Sequence, residues 1–151
     1  MATPASPAAR LRLRLQAGAL SVAAGVGHGL VAPEHLREWW GYGLFFALAA
    51  TGQVFFGAVL LAAPWRYDET GGHLPEGTGP ERAMCLLGIV GNAAVIVLYL
   101  VTRTVGVPFL GPDAGRVEPF GAGGLVTTAF EAALVGVLIG LWRSPAAGEV
   151  R

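Results

Sequence analysis

Four apolar stretches dominate the sequence, and each is close to the length that a helix needs to cross a lipid bilayer. A spanning helix requires about 20 residues to cross a hydrocarbon core about 30 Å thick. The stretches cover residues 13–32, 41–63, 83–103 and 121–142. The composition agrees, because 54% of the residues are hydrophobic and only 13% are charged, against about 25% charged in soluble domains. The chain is therefore expected to reside in lipid.

The segments between these stretches have the composition of connections. Residues 64–82 are polar and rich in Gly and Pro, and residues 104–120 carry three prolines, which exclude a regular helix there. Residues 33–40 are short and charged, and they include Trp39 and Trp40, which are placed like interfacial anchors. The sequence predicts an all-α integral membrane protein, a single transmembrane domain over residues 1–151 that folds as an antiparallel four-helix bundle, up-down-up-down.

Arginine counting predicts the orientation of this bundle. An even number of spans puts both termini on one side of the membrane. The N-terminal arm, the loop 64–82 and the C-terminal tail hold seven arginines, and the opposite side holds three. The positive-inside rule then predicts a protein of the bacterial inner (plasma) membrane with both termini and loop 64–82 in the cytoplasm and loop 104–120 outside. The formal net charge of zero gives no reason to expect a nucleic-acid partner.

The first stretch has a rival interpretation. Its basic start and weakly apolar middle also resemble a signal peptide, although a clear small-x-small cleavage site is missing. Its GxxxG pair, Gly25 and Gly29, favours packing against a neighbouring helix instead. A second GxxxG pair, Gly136 and Gly140, is expected to seat helices within the bundle or, from its surface, to make a dimer.

Polar side chains fall at similar depths in all four stretches. At 1.5 Å per residue, Gln53 lies about 18 Å from the outer surface, Asn92 about 16 Å and Glu131 about 15 Å. Ser21 comes out at about the same level. These positions are near the middle of the hydrocarbon core, and below them residues 54–63 and 83–91 offer almost no polar group. The pattern predicts a polar pocket that opens outward and stops at midplane.

Glu131 is the most informative residue of this layer. An unpaired carboxylate in hydrocarbon costs at least about 2.5–3.5 kcal/mol on insertion scales, so Glu131 is expected to face the bundle interior. There it can be protonated, or it can accept hydrogen bonds from Gln53, Asn92, Thr127 or Thr128. The two threonines lie one helical turn from it on the outer side.

Further polar residues extend this candidate site towards the outer surface. On the third stretch, Tyr99 and Arg103 share one helical stripe with Asn92. His28 is expected only about a turn below the outer surface, above the midplane layer. The predicted ligand- or proton-binding set is Glu131, Asn92, Gln53, Tyr99, Thr127, Thr128, Arg103 and His28.

Metal binding is a weaker alternative. His28, His35 and Glu38 could supply imidazole and carboxylate ligands to zinc or copper(II) from the outer face. The seven-residue spacing would align the two histidines on a continuous helix, but Pro33 is expected to interrupt it. A haem with two histidine ligands would need a homodimer, because only His28 is expected inside the membrane. No cofactor is predicted.

Two segments carry a resemblance to known proteins. At "EHLREWWGYGLFFALAATGQ" and "LYLVTRTVGVPFLGPDAGRVEPFG" the chain resembles small four-span membrane proteins of high-GC bacteria that have no assigned function. It has a looser similarity to DoxX-like four-helix proteins, based on the number of spans and the Arg-Leu-rich start. Neither resemblance implies an activity or a role for any residue.

The leading functional hypothesis is a non-enzymatic membrane protein whose outward-facing pocket binds a small ligand, an ion or a proton, as an accessory to a larger membrane system. The sequence contains no G-x-S-x-G, HExxH, Walker or CxxC motif that would indicate an enzyme. Whether the protein catalyses a reaction is left undecided by the sequence. A structural subunit, in which the polar layer only fixes helix register, is the first alternative, and a metal or haem redox protein is the second. Expected partners are the bilayer and, beyond it, a homo-oligomer or a larger complex.

Overall fold

The computed structural model of the chain describes residues 6–74, 77 and 79–144. Within this part the regular secondary structure is α-helical, apart from a 3₁₀ turn at Pro64–Arg66 and one isolated bridge between Tyr67 and His73. The helices are α1 (Pro7–Glu38), α2 (Trp40–Ala62), α3 (Gly79–Thr104) and α4 (Ala122–Arg143). All four are long and apolar enough to cross a membrane. Each contains its predicted apolar stretch to within one residue, so the all-α prediction is confirmed.

Helix α1 is longer than the sequence predicted. Pro33 lies inside it, and the helix continues to Glu38, so the prediction of a turn at residues 33–40 was wrong. A proline removes a single backbone N–H, and the flanking bonds still close the helix. The His35 ring reinforces this turn, since its Nδ1 donates to the Val31 carbonyl at 3.0 Å. Only Trp39, in extended conformation, separates α1 from α2.

Glycines bring α1 and α2 into close contact. A Cβ on Gly25 would lie 2.8 Å from Val54 and 2.9 Å from the Ala50 carbonyl oxygen, as expected for small residues at a helix–helix interface. The predicted packing role of this glycine against a neighbouring helix is thus confirmed. The second pair behaves differently, because a Cβ on Gly136 would meet nothing within 4 Å. That glycine is not used for packing within the described chain.

The two ends of the bundle are held by different contacts. At the end that we call the tail end, the Arg10 guanidinium bonds the Glu81 carboxylate at 2.8 Å and the Ser144 carbonyl at 2.7 Å. At the other end, the mouth end, residues 105–121 fold back onto the helices, where the Tyr42 hydroxyl donates to the Leu110 carbonyl at 2.8 Å. Gly111 has a φ of +71° and packs under Tyr42, where a Cβ would lie 2.6 Å from the hydroxyl oxygen. A side chain there would be strained and would clash.

An apolar layer fills the bundle between the tail end and the polar residues. Its members are 0 to 1% exposed, and we call them the leucine layer: Ala17, Leu60, Cys85, Leu134, Leu138 and Leu141. In every helix the member of this layer lies between the tail end and the polar residue singled out by the sequence. The layer therefore separates that polar level from the tail end.

Candidate functional site

Four side chains, one from each helix, form a single hydrogen-bonded cluster. Glu131 Oε1 on α4 lies 2.8 Å from His28 Nε2 on α1 and accepts a hydrogen bond from Gln53 Nε2 on α2 at 2.9 Å. The same Gln53 nitrogen donates to Asn92 Oδ1 on α3 at 3.0 Å. We call these four residues the polar cluster. The expectation that Glu131 faces the bundle interior, level with the amides of α2 and α3, agrees with this geometry.

Neighbouring backbone groups fix the orientation of the two amides. Asn92 Nδ2 donates to the Gly88 carbonyl one turn earlier on α3 at 2.8 Å, which turns Asn92 Oδ1 towards Gln53. Rotating the Gln53 amide would set its oxygen against the acceptors of Asn92 and Glu131, so the observed orientation is the one that the network allows. The Ser21 hydroxyl donates to the Gln53 backbone carbonyl at 2.7 Å and ties α1 to this level of α2.

The polar cluster is closed off from its surroundings. Glu131 is 1% exposed, Asn92 5%, His28 6% and Gln53 8%. Two buried ionisable groups in contact avoid the cost of an isolated charge, because one proton shared between them leaves the pair neutral overall. That proton can be carried by the imidazole, as an ion pair with the carboxylate, or by the carboxyl group. Gln53 and Asn92 are neutral, so His28 is the only titratable partner of Glu131 in the cluster.

Two acceptor atoms of the polar cluster have no hydrogen-bond donor in the described part of the chain. They are Glu131 Oε2 and Gln53 Oε1, and both are fully buried. Leaving a buried acceptor unpaired costs about 1–3 kcal/mol. The Gln53 amide oxygen can only accept, and Glu131 Oε2 can only accept while the carboxyl group is ionised. The cluster can therefore take a further proton or another small hydrogen-bond donor.

His28 lies closer to Glu131 than backbone positions predicted. Residue counting puts His28 above the midplane layer, whereas the ring bonds Glu131 directly. Side chains on a helix lean towards its N-terminus. His28 on α1 leans towards the tail end and Glu131 on α4 leans towards the mouth end, so the two side chains meet although their backbones are offset. This leaning makes the contact possible, and the rotation of each helix about its axis decides that it forms.

The other predicted site residues lie on the mouth side of the cluster. Thr127 is buried and faces Gly27 of α1, and Thr128 is half-buried beside it. Tyr99 packs on Gly124, and the Arg103 guanidinium lies over the Tyr99 ring, 5.1 Å from the ring centroid. None of these four site residues forms a hydrogen bond with Glu131. Gln53 donates to Glu131 as expected, whereas the hydrogen-bond partner found in place of the two threonines is His28.

The metal candidates are arranged differently from a ligand set. The His35 ring packs at a tilt against Phe46, with centroids 4.2 Å apart, and the His28 ring lies 5.7 Å from the same phenylalanine. Residues 6–74, 77 and 79–144 contain no group of three or more His, Cys, Asp or Glu side chains that could hold a metal ion. A metal held by His28, His35 and Glu38 stays a prediction of the sequence.

Two shallow grooves on the described surface are apolar, and neither touches the polar cluster. One is lined by Gln16, Ala19, Leu20, Ala23 and Val137. The other runs between the end of α1 and the start of α2, lined by residues such as Pro33, Trp40 and Ala47. The polar atoms that could bind a ligand are thus in the closed interior of the bundle, where the space favours a very small ligand such as a proton or a water molecule.

Comparison with known proteins gives no further guide to this site. No protein-family model, no curated protein and no solved structure matches the chain. The resemblance to four-span proteins of high-GC bacteria, and the looser one to DoxX-like proteins, stays a prediction. Function must therefore be inferred from the polar cluster itself.

Proposed function

We propose that the chain is a four-span membrane protein whose His28–Glu131 pair binds and releases a proton. The helices form an antiparallel up-down-up-down bundle, which is supported by contacts that join Gly18 to Gly57 and Leu36 to Gly43. Both termini lie in the cytoplasm of a bacterium and the mouth end faces outward, as the arginine distribution favours. The protein acts as an accessory to a larger membrane system.

The observation that carries this proposal is the contact between two titratable side chains deep in the bundle. His28 Nε2 and Glu131 Oε1 are 2.8 Å apart, and their side chains are 7% and 1% exposed. Amides such as Gln53 and Asn92 can join helices at much lower cost than an acid and a base in hydrocarbon. Intramembrane acid and histidine residues commonly serve proton relays. The composition of the pair is therefore better explained by proton exchange than by helix adhesion.

The charge of the pair couples proton exchange to helix packing. With one proton the pair is neutral, and with a second proton it carries a net positive charge. A protonated imidazole beside a protonated carboxyl group loses the ionic attraction between α1 and α4. Binding of the second proton thus weakens the contact between these helices, and an associated membrane protein can sense that change.

Access to the pair is from the mouth end. On that side lie hydroxyl and guanidinium groups, including the buried Tyr99 hydroxyl and Arg103 Nε, which have no partner in the described chain. On the tail side the leucine layer is 0 to 1% exposed and presents no charged group. Water and protons enter polar surroundings far more readily than packed hydrocarbon. This asymmetry supports a one-sided inlet.

Spectroscopy of the protein in lipid nanodiscs tests the proposal. Infrared difference spectra between pH 5 and pH 8, the range in which an imidazole ordinarily changes charge, should show a carboxyl band that Glu131→Gln removes. Selective ¹⁵N labelling of the three histidines should show that the His28 signal titrates together with this band. His28→Gln should shift the titration, and His73→Gln, in the loop near the tail end, should not. A Glu131 band that does not respond to pH would refute the proposal.

A structural subunit is the second candidate, and one observation favours it. The Gln53–Asn92 bond and the Asn92–Gly88 bond join and orient helices without any titratable group. If the whole cluster only fixes helix register, Glu131→Gln should be tolerated in every assay, while Gly136→Leu, on the exposed face of α4, should disrupt assembly with a second copy or a larger complex.

A further inference from the structure

Thr127 occupies a space between α1 and α4 that exists because residue 27 is a glycine, and we call this space the Gly27 slot. The residue is 9% exposed, and its side chain lies against the backbone of Gly27, the residue before His28. A Cβ on Gly27 would clash with the Thr127 hydroxyl oxygen, so only glycine leaves room for it. Thr127 precedes Glu131 by four residues, which is about 6 Å along the helix. The hydroxyl is therefore held between α1 and α4, one turn to the mouth side of the proton pair.

The Tyr99 hydroxyl continues this line towards the mouth end. It is buried, has no hydrogen-bond partner in the described chain, and lies against Gly124, one turn before Thr127. A Cβ on Gly124 would be 3.0 Å from the hydroxyl oxygen. The Arg103 guanidinium covers the ring at 5.1 Å, and the Phe120 ring packs at 6.1 Å. A buried hydroxyl without a partner requires water or another donor–acceptor beside it.

We propose that the Thr127 and Tyr99 hydroxyls relay protons between the mouth end and the His28–Glu131 pair. This inference rests on the proposed function, and it assigns the route by which the pair exchanges its proton. One water between successive hydroxyls bridges a gap of about 5–6 Å, two hydrogen bonds of about 2.8 Å each. Thr128, the adjacent hydroxyl, is outside the relay because it does not occupy the Gly27 slot.

Each step conserves atoms and charge. A hydronium ion at the mouth end gives a proton to a lone pair of the first hydroxyl, which releases its own proton to the next oxygen in the line. Both hydroxyls end unchanged, and the proton is bound by the His28–Glu131 pair, whose charge rises by one. The titratable group that faces Glu131 is His28, on α1. Helices α2 and α3 contribute the neutral side chains Gln53 and Asn92. Tyr99 and Arg103 lie further towards the mouth end.

A relay changes the rate of proton exchange and leaves its equilibrium alone, and this difference defines the test. The full chain in nanodiscs is taken from pH 8 to pH 5 by rapid mixing, and the Glu131 carboxyl band is followed in time. Thr127→Val and Tyr99→Phe keep the side-chain shapes, and each should slow protonation about tenfold or more, equal to about 1.4 kcal/mol of added barrier. Their titration midpoints should equal that of the unsubstituted protein.

Two further variants separate the relay from general effects on packing. Thr128→Val removes the neighbouring hydroxyl and should leave the rate unchanged. Gly27→Ala retains every hydroxyl but displaces that of Thr127, and it should slow protonation as Thr127→Val does. Wild-type rates in both Thr127→Val and Tyr99→Phe, or equal slowing by Thr127→Val and Thr128→Val, would overturn the relay. A Glu131 band that never responds to pH in the unsubstituted protein would instead overturn the proposed function.

Discussion

Removal of the Glu131 side chain gives the most direct measure of the polar cluster. In Glu131→Ala, the hydrogen bonds of 2.8 Å and 2.9 Å that meet at Oε1 are lost together. The His28 ring and the Gln53 amide then remain in the interior without that acceptor. Each unpaired buried group costs about 1–3 kcal/mol, so the free energy of unfolding should fall by about 2–6 kcal/mol.

Glu131→Gln is the matched variant, because it keeps the shape and one acceptor oxygen. Its amide nitrogen takes the place of Oε2, which has no partner in the described chain, so little hydrogen bonding is lost. Polar contacts between membrane helices average about 0.6 kcal/mol, and the expected loss is below about 1 kcal/mol. The difference in free energy of unfolding between the Ala and Gln variants therefore measures the contribution of the acceptor oxygen separately from that of the charge.

The assay is reversible unfolding in mixed micelles, followed by circular dichroism and by the fluorescence of the four tryptophans. Glu69→Ala, in the exposed loop after α2, serves as the control and should leave the free energy of unfolding unchanged. Equal losses for the Ala and Gln variants, or a loss below about 1 kcal/mol for Ala, would show that the acceptor contributes nothing to the fold.

Three further predictions address the remainder of the bundle. Gly25→Ala should destabilise the protein, because the added methyl group would lie 2.8 Å from Val54. Gly136→Ala should be neutral or should stabilise the protein by up to about 1 kcal/mol, because alanine has the higher helix propensity. Unfolding in mixed micelles compares the two variants. Arg10→Ala leaves a buried carboxylate without its cation and should cost about 3–5 kcal/mol, whereas Arg12→Ala, which is exposed, should cost almost nothing in the same assay. Hydrogen bonds from Thr70 and Gly72 hold the pKa of Asp68 below its ordinary value of 3.8, so their contribution to loop stability is present above that value and is lost as pH falls below it. The amide protection factors of those two residues, corrected for intrinsic exchange, should drop at pH 3 relative to pH 6, and constant protection would contradict this.

The fold was largely predictable because lipid imposes a simple condition on the sequence. Long apolar stretches can satisfy their backbone hydrogen bonds only as helices, and the four stretches coincide with α1 to α4. The error at Pro33 arose because a proline is a strong local signal, whereas a helix that packs along its length tolerates the loss of one hydrogen bond. Contacts with other helices decide where a helix ends, and these contacts cannot be predicted from the local sequence.

The candidate site was predictable in part. The common level of Gln53, Asn92 and Glu131 in the bundle was accessible from residue counting, because the rise per residue of a helix is constant. The partnership of His28 with Glu131 depended on the direction of side chains and on the rotation of each helix about its axis. Likewise, nothing in the sequence distinguishes Thr127 from Thr128 until the Gly27 slot is known. Those features require the packed structure.

The leucine layer has an electrical consequence for a protein in an energised membrane. A transmembrane voltage falls mainly across the material of lowest dielectric constant, and here that material is the packed hydrocarbon around Leu134 and Leu138. Moving one charge through the full voltage changes its energy by about 2.3 kcal/mol per 100 mV. Protons that arrive from the hydrated side cross little of that drop. With the mouth end facing outward, as proposed, occupancy of the pair should follow the external pH and depend very little on the membrane potential.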